Sequence, residues 1–220
     1  MRYPLLLNLE NARCVVAGGG RVAERKIEGL LKCGARVTVI APRASGNLQA
    51  LHHQRRIEWE ARPFRPEDAE GVFLLFAATG DREANARILG AGKAFGALVN
   101  VADDPEGSDF HVPAVARKGP VTVAVSTEGA SPALSAWLRD LLAEAVPDGA
   151  ETTATLLSGL RRRLSEDKKE PASELFKKLL EAGVANDLGA GEIERARSKT
   201  DLIFGPGAYS DAMKEILEDT

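Results

Sequence analysis

Short apolar runs alternate with helical spacings over the first half of the chain. The run at 14–17 ends in three glycines, and a helical spacing follows, made of Val22, Ala23, Ile27, Leu30 and Leu31. Further apolar runs predict strands at 36–41, 73–79 and 97–101, and 81–95 predicts a helix whose apolar set is Ala86, Ile88, Leu89 and Ala91. Nearly continuous apolar strands separated by helices are typical of a parallel sheet covered on both faces. We therefore expect a Rossmann-like, doubly wound α/β domain over residues 1–113.

A different pattern begins after this domain. Residues 121–126 alternate as a strand, 127–130 predict a turn, and Ser131 with Pro132 predicts the start of a helix. Its broad apolar face contains Leu134, Trp137, Leu138, Leu141, Leu142 and Ala145. We expect residues 114–149 to form a dimerisation region at a two-fold interface. Residues 150–220 show only helical apolar stripes, Leu156, Leu157, Leu160 and Leu164 in one and Leu175, Phe176, Leu179 and Leu180 in the other, so they predict a small all-helical C-terminal domain.

The glycine turn predicts a dinucleotide site. Gly18, Gly20 and Ala23 fit the G-x-G-x-x-G/A pattern, in which small residues let a diphosphate approach the backbone at a helix N-terminus. Ligands of doubly wound sheets bind beyond the carboxyl ends of the strands. The residues at those ends are therefore our candidates for cofactor binding: Gly18, Gly20, Arg21, Val22, Pro42, Arg43, Thr79, Asn100 and Val101.

The end of the second strand departs from the common dinucleotide pattern. An acidic residue usually binds the ribose there, and Ala41-Pro42 stands in its place. Either backbone groups hold the ribose, or the glycine pattern is misleading. Arg43 is compatible with a 2′-phosphate and thus with NADP, but a loop arginine is more often solvated. We favour NAD.

Composition and charge limit the classes of function. The 220 residues have a net charge of −3 and a pI near 5.8, which argues against a nucleic-acid partner or a membrane-surface protein. No apolar stretch reaches the length of a membrane span and no charged leader opens the chain, so we expect a cytoplasmic protein. Cys14 and Cys33 lack metal-ligand spacing, and no other set of ligand residues has it, so we expect no resident metal.

Five sequence blocks together resemble one family. They are 18–26 with Gly-Gly-Gly-x-Val-Ala-x-Arg-Lys, 77–79 with Ala-Ala-Thr, 100–103 with Asn-Val-x-Asp, 110–114 with Phe-x-x-Pro-Ala, and 124–134 with Ala-Val-Ser-Thr-x-Gly-x-Ser-Pro-x-Leu. In order and spacing these blocks resemble the precorrin-2 dehydrogenases of sirohaem synthesis, closely over about residues 1–147. The resemblance implies NAD-dependent oxidation of precorrin-2 to sirohydrochlorin by a homodimer. Many members also insert ferrous iron to give sirohaem, which would make iron a passing substrate, and others are dehydrogenases only.

Asp103 is the candidate catalytic residue. It matches the family's aspartate implicated in both reactions, and a carboxylate just past a strand end is suited to accept a proton there. The alternative is that Asp103-Asp104-Pro105 merely opens a solvated turn. Asp104 has no family match and is expected to face solvent. His111 has the chemistry to accept protons or bind iron, but a surface or cleft histidine is the simpler interpretation.

The substrate's carboxylates call for basic groups or a helix N-terminus. Candidate substrate-binding residues are Arg117, Lys118, Ser126, Thr127, Gly129 and Ser131, the last four in a turn that opens a helix. That turn also has a simple interpretation as a capped helix start. Arg139 is a further candidate, whereas 161–163, three arginines, are more typical of a solvated helix face.

Two other classes of function stay open. An NAD-binding regulatory module would share the glycine turn and the sheet, but it would not need the blocks at 100–103 and 126–132. Another NAD-dependent dehydrogenase of a small substrate would ordinarily bring a catalytic His, Lys or Tyr from a second domain, where Tyr209 is the plausible candidate.

Overall fold

A computed structural model describes residues 2–164 and 171–218 of the chain, with side chains described as far as Lys214. The chain divides into two compact units. The first ends at Val112 and the second begins at Pro113. The domain boundaries predicted above stay predictions.

The first unit is built on a five-stranded parallel sheet. Its strands are β1 (Arg13–Ala17), β2 (Arg36–Ile40), β3 (Glu58–Glu60), β4 (Leu74–Ala77) and β5 (Leu98–Val101), in the order β3-β2-β1-β4-β5. Its helices are α1 (Arg21–Leu31), α2 (Gly46–His53) and α3 (Arg82–Ala94), with a 3-10 turn at Pro66–Ala69. The Rossmann-like fold class is thus confirmed. The strand order reverses between β1 and β4, which is where such sheets bind ligands.

Both faces of this sheet are buried, as the apolar strands predict. Val16 of β1 and Ile27 of α1 belong to one buried cluster, and Val15 of β1 and Ile88 of α3 belong to a second one. One part of the predicted apolar face of α3 is wrong. Ala86 is exposed and Asn85 is 1% exposed, because the helix turns its 85–88–92 edge toward the sheet.

The two edges of the sheet are closed in different ways. β3 is only three residues long and carries Glu58 and Glu60, and its polar composition is why the apolar pattern did not predict it. At the other edge, Asp109 bonds to both backbone groups of Val99 in β5. Its N–H donates to the Val99 carbonyl over 2.8 Å, and its carboxylate accepts from the Val99 N–H over 2.9 Å. Asp109 thus takes the place of a neighbouring strand at Val99, and the Ser108 hydroxyl does so at Val101.

The second unit opens with an antiparallel pair, β6 (Ala114–Lys118) and β7 (Val121–Val125), against which α4 (Pro132–Glu144) packs. Strand β6 was not predicted. The helices α5 (Ala150–Arg163), α6 (Ala172–Glu181), α7 (Val184–Gly189), α8 (Ile193–Phe204) and α9 (Ala208–Glu218) follow. The C-terminal helices are therefore confirmed, and Leu156, Leu160 and Leu179 form the centre of their core.

Helix α4 leaves its predicted apolar face open in the single chain. Trp137 is 61% exposed, and Leu134, Leu141 and Leu142 are exposed as well. What α4 buries instead is Ser135, whose hydroxyl bonds within the turn that precedes the helix. Within the described ranges, none of these helices is both long and apolar enough to cross a membrane.

Candidate functional site

Among the three α-helices that the structure describes in the first unit, α1 is the one whose N-terminus no side chain caps. Ser45 caps α2 by accepting from the Leu48 N–H, and Asp81 caps α3 by accepting from two backbone N–H groups. Gly20 caps α1 with no side chain, and the N–H groups of Arg21 and Val22 have no partner within the described residues. Unpaired N–H groups at the positive end of a helix are suited to bind an anion.

Each glycine before α1 has its own steric setting. A Cβ on Gly18 would lie 2.2 Å from the Ala78 carbonyl oxygen, and its φ of +132° also excludes most side chains. A Cβ on Gly19 would lie 2.1 Å from the Arg43 carbonyl oxygen. On Gly20 it would meet nothing within 4 Å. Gly18 and Gly19 therefore let three loops pack closely, and Gly20 keeps open the space in front of the helix. This arrangement fits the diphosphate of a dinucleotide.

The loop after β2 is fixed against this turn. The Ser45 N–H donates to the Gly19 carbonyl over 3.0 Å, and the Ser45 hydroxyl bonds to the carboxylate of Glu24 in α1. Arg43 is exposed, and no described residue pairs with its guanidinium. Pro42 is exposed beside it. Arg43 is thus available to a ligand at this end of the crevice.

Asn85 links the loop after β4 to the loop after β5. Its Nδ2 donates to Oδ1 of Asp103 over 2.8 Å. Its Oδ1 accepts from the Thr79 N–H over 3.2 Å and from the Thr79 hydroxyl over 2.7 Å. The Asp103 side chain is 38% exposed, and its Oδ2 lies 3.4 Å from Nε of Arg82. One carboxylate oxygen is therefore fixed by a buried amide, while the group as a whole stays open to solvent.

Sequence reasoning missed Asn85. The signal available in the sequence was the N-cap at Asp81, four residues before Asn85. The start of α3 fixes which of its positions face the sheet, and Asn85 is one of them. Its neighbour Ala86 misled the assignment, since an alanine fits either face.

The other candidate residues at the end of β5 stabilise the loop that follows this strand. Asn100 is buried, and its Nδ2 donates to the Phe110 carbonyl over 2.9 Å. Val101 is buried on the α3 side, and its N–H donates to the Ser108 hydroxyl over 2.8 Å. Asp104 is exposed, as expected, but it also accepts from the Gly107 N–H over 2.9 Å, so it stabilises the turn.

His111 lies within the same segment but makes a structural bond. Its Nε2 is 3.0 Å from the Pro105 carbonyl oxygen, which also accepts from Arg2. Within the described residues no three His, Cys, Asp or Glu side chains come close enough together to hold a metal ion.

The predicted anion-binding turn in the second unit has a strained backbone and is held together by hydrogen bonds among its own residues. Glu128 and Gly129 both have positive φ, of 54° and 90°. The Thr127 hydroxyl accepts from the Ser131 N–H over 3.0 Å and bonds to the Ser135 hydroxyl over 2.9 Å. Ser131 caps α4, and the Ser126 hydroxyl accepts from the Glu128 N–H. A non-glycine residue in the left-handed region is uncommon and is often found at functional sites.

The basic candidates do not join this turn. Because β6 and β7 are antiparallel, with Ala114 opposite Val125, Lys118 lies at the opposite end of the strand pair from Ser126. The Lys118 ammonium bonds to the Val146 carbonyl and, over 2.6 Å, to Asp148, and this contact lowers the pKa of the Asp148 carboxyl.

The other arginines named from sequence have partners on their own helices or nearby. Arg139 pairs with Asp140, Arg161 lies over the Phe176 ring, and Arg163 bonds to Asp211.

Two family models match the chain. Residues 5–114 match a family described as putative NAD(P)-binding, which is half of the chain. Residues 118–145 match the central segment of sirohaem biosynthesis proteins. The first match covers most of the unit that contains the open end of α1, and the second covers β7, the turn and α4.

Curated relatives resemble nearly the whole chain. The siroheme synthase of Methylococcus capsulatus is 38% identical over 195 residues, covering 88% of this chain and 41% of that protein. Siroheme synthase 1 of Aeromonas salmonicida is 34% identical over 204 residues, covering 91% and 44%. The chain thus spans less than half the length of these relatives. Among solved structures, SirC, a precorrin-2 dehydrogenase, has a TM-score of 0.73 at 24% identity and covers 92% of this chain and 98% of its own, a likeness that shows the fold.

Proposed function

Since this chain belongs to the sirohaem-biosynthesis family of NAD(P)-binding proteins, we propose that it oxidises precorrin-2 to sirohydrochlorin with NAD as the hydride acceptor. The observation that carries the proposal is the pairing of an open α1 N-terminus, at the end of β1, with a carboxylate held by Asn85 at the end of β5, two strands along the same edge of the sheet. A regulatory module would need the first of these features but not the second.

The chain's residues divide the work between binding and proton transfer. The oxidation removes two electrons and two hydrogens from the tetrapyrrole, one hydrogen as hydride and one as a proton. NAD, when bound, supplies the nicotinamide carbon that accepts the hydride. The N–H groups of Gly20, Arg21 and Val22 would hold its diphosphate, and Asp103 would accept the proton and release it to solvent. The bond from Asn85 keeps the accepting carboxylate in one orientation.

The choice of NAD over NADP belongs to the proposal. No acidic side chain follows β2, so backbone groups there would bind the ribose. Trp59 supports this view because its Nε1 donates to the Ala41 carbonyl over 3.0 Å and thereby fixes the backbone at this point. Arg43, which has no partner in the described chain, would contact the adenosine ribose or the diphosphate.

Insertion of ferrous iron is a further part of the proposal, with the metal as substrate. Metal insertion requires removal of two pyrrole protons, and Asp103 is suited to accept them for the same reason as in the oxidation. The relatives named for sirohaem synthesis support this step.

The substrate's carboxylates are proposed to bind at the turn formed by Ser126, Thr127, Gly129 and Ser131. Arg117, which lies toward the opposite end of the strand pair, is proposed as a separate contact for another carboxylate. The positive φ of Glu128 and the capped start of α4 support an anion site there. Lys118 was also predicted to contact substrate, and its bond to Asp148 gives it a structural role besides.

We propose that the chain acts as a homodimer through α4. Trp137, Leu134, Leu141 and Leu142 form an exposed apolar face on one helix, and monomeric proteins rarely leave such a patch uncovered.

An anaerobic incubation of the protein with NAD and precorrin-2 tests the function. The expected result is the absorbance of sirohydrochlorin together with one NADH per molecule formed. A protein that binds NAD but forms no sirohydrochlorin would be a regulatory module, and turnover of a small hydroxy acid or alcohol instead would indicate a different dehydrogenase.

A further inference from the structure

Lys26 lies on the side of α1 that faces the sheet, between the helix and β4. Its Nζ is 5.6 Å from the centre of the Phe76 ring, which is buried in the penultimate position of β4. Phe76 in turn meets Phe110 edge-on, with ring centres 5.4 Å apart. The lysine is thus a half-buried cation placed against an aromatic pair.

The position of Lys26 along α1 directs its ammonium toward the crevice. Side chains of a helix tilt toward its N-terminus, and the N-terminus of α1 is the end at the crevice. Phe76 is opposite Asn100 in the sheet register, and Asn100 is three residues before Asp103. The ammonium therefore lies on the β4–β5 side of the site, away from the loop after β2.

No described anion balances the charge of Lys26. Across residues 2–164 and 171–214, whose side chains the structure describes, no carboxylate pairs with Lys26. Burial, together with the charge of the neighbouring Arg25, lowers the pKa of Lys26 to about 8. A partly desolvated cation without a counter-ion costs free energy that an anionic ligand would recover.

Given these contacts, we propose that Lys26 binds a carboxylate of the tetrapyrrole substrate. This inference rests on the proposed function, because it takes the macrocycle with its acidic side chains as the ligand. The diphosphate of the cofactor is the other anion in the crevice. It belongs at the open N–H groups of Gly20 to Val22, four to six residues before Lys26 in the sequence.

Three variants of the full chain test the inference. Lys26→Met removes the charge and keeps an unbranched chain, Lys26→Arg keeps the charge, and Lys32→Met removes a charge from the exposed far end of the same helix. We expect Lys26→Met to raise the KM for precorrin-2 and the Kd for sirohydrochlorin by about 10-fold or more, the usual worth of a hydrogen bond to a charged group. The kcat and the Kd for NAD should change by less than about 3-fold, Lys26→Arg should recover part of the loss, and Lys32→Met should match the wild type.

Sirohydrochlorin binding is measured by quenching of tryptophan fluorescence, and NAD binding by calorimetry. Unchanged affinity for sirohydrochlorin in a folded Lys26→Met variant would overturn the inference while wild-type turnover still supported the proposed function. Loss of NAD affinity with unchanged sirohydrochlorin affinity would assign Lys26 to the cofactor instead. A wild type that neither oxidises nor binds the tetrapyrrole would overturn both.

Discussion

Replacement of Asn85 by alanine separates a positioning role from a structural one. The change removes the 2.8 Å hydrogen bond to Asp103 and leaves the Thr79 N–H without its acceptor. A hydrogen bond to a charged group contributes about 1.5–3 kcal/mol, and a buried donor left unpaired costs about 1–3 kcal/mol. Because Asp103 and Thr79 are both partly exposed, we expect the free energy of unfolding to fall by about 2 kcal/mol.

The effect on catalysis should exceed what this destabilisation explains. With Oδ1 no longer fixed, Asp103 samples orientations that do not face the substrate, and kcat/KM should fall about 10- to 100-fold. The rate of sirohydrochlorin formation should fall by a factor of about 10² to 10⁴ in Asp103→Ala, and the affinity for NAD should stay unchanged. In the double variant the loss should equal that of Asp103→Ala alone, since Asn85 acts through Asp103.

The assays are anaerobic steady-state turnover and urea denaturation of the same samples. Ile88→Val, a buried truncation one turn along α3, is the matched control, because it costs about 1 kcal/mol and touches neither Asp103 nor Thr79. Its kcat/KM should stay within about 2-fold of the wild type. Losses that multiply in the double variant would refute the reasoning, and so would normal turnover in either single variant. Asp104→Ala is a poor control because Asp104 holds the turn at Gly107.

Three further outcomes are expected. Gly20→Asp should abolish NAD binding in calorimetry and leave the circular dichroism unchanged, because the new side chain enters open space where the diphosphate would lie; Gly19→Ala should instead destabilise the fold, since its Cβ would approach the Arg43 carbonyl. Trp137→Glu should convert a dimer into a monomer in light scattering, and a wild type that is monomeric at micromolar concentration would end the dimer proposal. The free energy of unfolding of the wild type, measured relative to that of Lys26→Met, should rise by about 1 kcal/mol between pH 8 and pH 10.5. In that range Lys26 keeps its proton in the unfolded state and loses it in the folded state. A difference that does not change with pH in urea denaturation would contradict the lowered pKa of Lys26.

The sequence predicts the fold where hydrophobic pattern alone decides it. Strands β1 and β4 are apolar on both faces, and the glycines at 18–20 indicate where β1 ends. Strand β6 alternates weakly and ends in Arg117 and Lys118, so its pairing with β7 comes from the hairpin rather than from burial.

The candidate site also has one part that the sequence predicts and one part that it does not. Asp103 could be named from its place after a strand, because parallel strands end at a common edge. Its support by Asn85 could not be, since that contact joins residues 18 positions apart and depends on the rotation of α3 about its axis. The setting of Lys26 depends likewise on Phe76, which is 50 positions away.

The hydrogen bonds between Asp109 and Val99 also protect the edge strand β5 from pairing with other chains. An open edge strand offers its backbone to other chains, and β5 is apolar enough to be a template for such pairing. Asp109 occupies the backbone groups of Val99, and it belongs to the segment 102–112 that also contains Asp103. Evolution is therefore restricted in how it remodels this segment for a new substrate. A change that loosens the segment would not only misplace the carboxylate but also expose β5 to aggregation, so solubility and activity should be lost together.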